Sequence, residues 1–228
     1  MSKSEVSNLP LGQWLKRRRS RVLHDAARVV LPSSLLVTRG RSDRRRVALT
    51  FDDGPDAMTK EYLYVLDQLD VRATFFVLGA NVARDPAVVH EVVRRGHEVA
   101  AHGFTHRPFP GLTSAELKEE LGRTQAVLPR VRSRRFFVRP PKGAVSLRSL
   151  ALTAAAGYCT ALWSRDSDDC RTLDPSAVED RLDPRLVRPG EIILLHENQT
   201  WTLDALPRAV ARLRSAGYEL TTLSGVLA

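Results

Sequence analysis

Val47-Ala48-Leu49-Thr50-Phe51-Asp52-Asp53-Gly54-Pro55-Asp56 runs five strand-forming residues straight into a turn that opens with two carboxylates. An unbroken apolar run rich in branched and aromatic residues suits a strand covered on both faces, and Gly-Pro ends it. The same pattern recurs downstream. Strands are expected at 73–78, 97–101, 136–138, 158–163, 192–195 and 218–223. Between them lie helical patterns through Tyr62, Val65, Leu66 and Leu69, from Pro86 to Gly96, and over 146–156, 175–182 and 203–216. Thr113-Ser114-Ala115-Glu116 is a capping box that opens a helix running towards Leu128. Strands alternating with helices predict βα units and a mainly parallel sheet. About seven such units without a Gly-rich phosphate loop favour a (β/α) barrel over a dinucleotide-binding sheet.

Composition limits the alternatives. The chain has 228 residues, 43% hydrophobic and 27% charged, which disfavours disorder, collagen and coiled coil. Two cysteines exclude a disulfide framework. No apolar run approaches the ~20 residues of a membrane span. The N-terminal region lacks the apolar core of a secretory signal, so the cytoplasm is the expected compartment. In that compartment a Cys159–Cys170 disulfide is not expected.

The net charge of +9 resides in residues 1–46, which hold 12 Lys/Arg against 3 Asp/Glu. The chain therefore divides into a basic N-terminal extension, 1–45, and a domain, 46–228. Leu11, Leu15, Val22, Ala26 and Val30 recur near helical spacing in the extension. Three readings compete for it. It is a helix packed on the domain with a solvated basic face, a contact with an anionic membrane surface at about 1 kcal/mol per basic residue, or a phosphate-binding arm. Nucleic acid ranks last, because no recognition module accompanies the charge.

Polar residues cluster just after the strands: Asp52 and Asp53, His102 and His106, Arg139, Asp166 and Asp169, and His196. In a parallel barrel these ends open on one face, where active sites form. Two histidines at i, i+4 plus a carboxylate make a three-ligand site for a divalent ion, with zinc the default. Two adjacent carboxylates there divide the work: one binds the ion and the other takes a proton from water.

Thr-Phe-Asp-Asp-Gly-Pro followed by His-x-x-x-His resembles the polysaccharide deacetylases of the NodB homology domain, carbohydrate esterase family four. The resemblance spans roughly 35–225. It implies a distorted (β/α)7-type barrel and metal-dependent removal of N-acetyl groups from amino sugars. By that resemblance Asp52 is the general base, and Asp53, His102 and His106 are the metal ligands. Arg139 orients the base, His196 is the general acid, and Asp169 orients His196. Pro141, Lys142, Cys170 and Leu194 fall at the substrate and oxyanion groove. Lys142 stands where the family usually has an aromatic residue, and Cys170 where it has Trp. The expected partner is an N-acetylated sugar. The alternatives are an intracellular small molecule or carrier-linked sugar as substrate, or a non-catalytic glycan-binding or scaffold protein. His24, His90 and His97 are expected in surface or packing roles, and Trp201 at the site or its rim.

Overall fold

The computed structural model describes residues 32–129 and 136–228. Among these, nine strands form one parallel sheet: β1 (Leu36–Val37), β2 (Arg46–Asp52), β3 (Thr74–Val77), β4 (Glu98–Ala101), β5 (Phe136–Val138), β6 (Tyr158–Ala161), β7 (Arg165–Asp166), β8 (Ile192–His196) and β9 (Glu219–Thr221). The order is β1-β6-β5-β4-β3-β2-β8-β7, with β9 pairing the start of β2. The end strands β1 and β7 share no ladder, so the sheet curls into an open barrel. Its helices are α1 (Thr59–Gln68), α2 (Gly79–Arg84), α3 (Pro86–Arg94), α4 (Ser114–Val127), α5 (Leu147–Ala155), α6 (Pro175–Arg181), α7 (Thr200–Ser215) and α8 (Leu223–Leu227).

Side-chain parity along the strands builds two cores. Val47, Leu49 and Phe51 of β2, Phe75 and Val77 of β3, and Ile193 and Leu195 of β8 pack with Tyr62, Leu66, Val92, Leu206 and Val210 from the helices. The alternate residues Ala48, Phe76, Ala100, Phe137, Ala161 and Ile192 pack with one another inside the curl, closed by Leu223 and Val226 of α8. Continuing that inner row to the strand ends gives Thr50 and Asp52, His102, Arg139, and Leu194 and His196. Parity alone therefore sends five of the expected site residues to the mouth of the barrel.

The expected strands and helices are present, with shifted ends. The structure adds β1, β7, α2 and α8, and it starts α7 three residues earlier than the pattern. Leu36 and Val37, expected in the extension, pair with β6, and Gly40 N–H donates to Gly190 O. Part of the basic excess is also neutralised there: Arg39 pairs with Glu191 at 3.1 Å, and Arg46 with Glu219 at 2.8 Å. The amphipathic pattern from Leu11 to Val30 and the run from Lys16 to Arg21 lie outside the described residues. Among those described, no helix is long and apolar enough to cross a membrane.

Candidate active site

The loops at the strand ends hold four of the five non-glycine residues with positive φ: Asp53 (78°), His106 (65°), Lys142 (60°) and Asp168 (58°). Such backbone persists only where the surroundings over-determine it. At Asp53 the grip is visible. Asn81 Nδ2 donates to Asp53 O at 3.1 Å, and Leu78 N–H donates to Gly54 O at 2.8 Å. The left-handed step lets Asp53, which follows the inner-row residue Asp52, also face the barrel mouth.

Asp53 Oδ1 lies 3.4 Å from His102 Nε2 and 3.2 Å from His106 Nε2. His102 Nδ1 is 2.8 Å from Arg139 O, so this ring nitrogen donates to the carbonyl. That hydrogen bond leaves the Nε2 lone pair aimed at a carboxylate oxygen, and Asp53 Oδ1 is buried without a hydrogen-bond partner. Opposed lone pairs at this distance repel unless a cation lies between them. The donor set, one carboxylate oxygen and two imidazole nitrogens within 4.8 Å of one another, fits a divalent ion. Burial opposes the Asp53 charge, but the adjacent His102, with His106 and His196, holds its carboxyl below the usual range. Burial pushes His106 down, towards the neutral form that a ligand needs.

Asp52 is 3% exposed and accepts from Arg139 Nη1 at 2.6 Å. Its other oxygen lies 3.8 Å from His102 Nε2, which sets it beside the candidate ion site. Arg139 is fully buried. It also donates to Thr50 Oγ1 at 2.9 Å and Ala161 O at 3.3 Å, and its guanidinium lies 3.9 Å from the Phe76 ring centroid.

His196 Nδ1 lies 2.7 Å from Asp169 Oδ1. Asp169 Oδ2 accepts from His196 N–H at 2.7 Å and Thr202 Oγ1 at 2.9 Å, and Asp169 O accepts from Trp201 Nε1 at 2.7 Å. Burial lowers the His196 pKa, but the hydrogen bond and charge of Asp169, with Asp52 and Asp53, raise it to about 9.

Of the expected groove residues, Pro141 and Leu194 are buried, whereas Lys142 and Cys170 are exposed. The next residue, Gly143, needs both its positive φ of 62° and its missing side chain, since a Cβ there would lie 2.6 Å from Trp163. His97 is 5% exposed and packs edge-on against Phe75, a core role.

Sequence reasoning missed two buried acids. Glu120 of α4 accepts from Phe104 N–H at 2.8 Å, Thr105 N–H at 2.9 Å and Thr105 Oγ1 at 2.6 Å, and so shapes the loop between the two histidines. Glu197 lies under the Asp53 turn. Burial pushes its carboxyl up to about 8 against the hydrogen bond from Thr59, and the charges of Asp56, Asp53 and Asp52 add to the shift. The Glu120 signal was an acid on an apolar helix row. Glu197 gave none beyond its place after His196.

The profile of the family described as polysaccharide deacetylase matches residues 39–161. The chain is 32% identical over 197 residues to the peptidoglycan-N-acetylglucosamine deacetylase PgdA of Listeria monocytogenes, across 85% of this chain and 41% of that one. Among solved structures, the Bc1960 peptidoglycan N-acetylglucosamine deacetylase superposes with a TM-score of 0.79 at 27% identity, covering 85% of this chain and 92% of its own. A family pseudoenzyme from Bacillus anthracis, BA3943, superposes with a TM-score of 0.76 at 26% identity, covering 87% and 70%.

Proposed function

The chain belongs to the polysaccharide deacetylase family, and on that premise we propose that it is a divalent-metal-dependent hydrolase removing the acetyl group from N-acetylated amino sugars. The observation that carries this reading is the convergence of Asp53 Oδ1 on the Nε2 atoms of His102 and His106, with the His102 tautomer set by Arg139 O.

Asp53, His102 and His106 would hold the ion, with zinc the first candidate. When bound, it would lower the pKa of water and polarise the amide carbonyl. Asp52 takes the proton from the attacking water, and Arg139, at 2.6 Å, holds that carboxylate in place beside it. As the C–N bond breaks, imidazolium His196 gives its Nε2 proton to the departing amine, which leaves poorly as an anion. Asp169 holds the ring so that Nε2 faces the site. The products are acetate and the free amino sugar.

The test is acetate release from N-acetylglucosamine oligomers. We expect turnover that is abolished by chelator and by His102→Ala, and restored to the chelated wild type by Zn2+. Full activity in Asp53→Ala, or none in metal-loaded wild type on any N-acetylated compound, would defeat the reading and leave a non-catalytic glycan binder. Lys142 and Cys170, both exposed where the family carries aromatic residues, favour a second reading in which the substrate is a small N-acetylated molecule or a carrier-linked sugar. Clear preference for long oligomers would rule that version out.

A further inference from the structure

We propose that Glu197 is a positioning residue: its buried carboxyl fixes the turn after β2 and, through it, the place of Asp53 opposite His102 and His106. This rests on the ion site read above. Glu197 is completely buried and follows His196 at the end of β8, where its N–H reaches Asp52 O at 3.4 Å. Its Oε2 accepts from Thr59 Oγ1 at 2.6 Å, and the same hydroxyl accepts from Asp56 N–H at 2.8 Å. The carboxyl therefore reaches the far end of the turn through one side chain. At the near end it lies against the backbone of Gly54, where a Cβ would fall 1.3 Å from Glu197 Oε1. That oxygen has no hydrogen-bond partner.

A buried acid with one unsatisfied oxygen costs stability rather than adding it, so packing alone does not account for a glutamate here. The turn it supports needs support. Asp53 holds a left-handed backbone at φ 78°, and the bonds from Asn81 and Leu78 grip it from the α2 side only. Glu197 braces it from β8. The strand that carries His196 thereby sets the position of the carboxylate that faces the two imidazoles.

The experiment uses Co2+ on the full chain, measured by competition with a chelator and by the visible d–d spectrum. Wild type should bind one Co2+ and Asp53→Ala should lose it; if wild type binds none, the ion site itself is misread, which is a separate failure. With binding in hand, Glu197→Ala should weaken Co2+ by about 10- to 100-fold, as loss of groups behind metal ligands does, and should shift the bands. Glu197→Gln keeps an oxygen for Thr59 and should return both to near wild type. Wild-type affinity and spectrum in folded Glu197→Ala, or a Gln variant as weak as Ala, would overturn the proposal. Should Glu197→Ala not fold, Thr59→Val decides: weaker Co2+ binding supports the bracing, and unchanged binding overturns it.

Discussion

His196 and His97 show how two imidazoles of one chain are driven apart by their neighbours. His196 is half-buried, but Asp169 at 2.7 Å and the nearby charges of Asp52 and Asp53 outweigh desolvation and raise it from 6.5 to about 9. A raised folded-state pKa stabilises the fold fully below 6.5, and that contribution is lost as pH rises through about 9. In metal-depleted protein, urea unfolding should therefore show stability declining across that window, and Asp169→Asn should remove the decline. His196→Ala should cost about 100- to 10,000-fold in kcat, the usual worth of a positioned proton donor. His97 goes the other way: burial, with Arg72 adding to it, lowers its pKa from 6.5 to about 4. The unfolded chain then binds a proton that the folded one refuses, so stability should fall as pH drops from 6.5 towards 4. His97→Gln should flatten that acid limb; an unchanged limb would show that other groups cause it.

Helix α4 carries one feature that the sequence declared and one that it hid. The Thr113–Glu116 capping box is present in full, with Thr113 Oγ1 accepting from Glu116 N–H and the Glu116 carboxylate accepting from Thr113 N–H. Thr113→Ala should cost about 1 kcal/mol of stability and leave metal affinity alone. Glu120→Ala should do more. It strips the acceptor from two loop N–H groups, at about 1–3 kcal/mol for each that stays buried, and loosens the segment between His102 and His106. Calorimetry with Zn2+ should find weaker binding in Glu120→Ala and not in Thr113→Ala; equal binding in both would separate Glu120 from the ion site. The contrast explains what was legible. Capping is local, so four residues state it. Glu120 sits on the buried row of Leu117, Leu121 and Thr124, and its partners come from a different loop. Thr202 and Trp201 meet Asp169 some thirty residues away along the chain. The two-residue strands β1 and β7 are too short to register as apolar runs, whereas the long β2 and the strand-end placement of Asp52, His102, Arg139 and His196 followed from such runs and their order along the chain.

Across the whole molecule, Arg139 joins parts of the barrel that the flat sheet order keeps apart. It leaves β5, yet it binds Asp52 and Thr50 of β2, and β4 and β3 lie between them in the sheet. Three inter-strand steps span about 14 Å in a flat sheet, so the 2.6 Å contact exists only because the sheet curls. The guanidinium is desolvated completely, which lowers its pKa, and Asp52 opposes that shift. Lysine has no planar fork to serve Asp52, Thr50 and the Ala161 carbonyl together, so Arg139→Lys should be nearly as damaging as Arg139→Met. Removing Arg139 alone strands a buried carboxylate and should cost about 3–5 kcal/mol in urea unfolding. Exchanging both partners, Arg139→Met with Asp52→Asn, removes the uncompensated charge and should recover most of that loss. Activity should not return, because the proposed base is gone. A double variant as unstable as Arg139→Met would show that the arginine holds the curl through Thr50 and the Ala161 carbonyl rather than through its charge. A double variant with acetate release near wild type would remove Asp52 from the proton transfer.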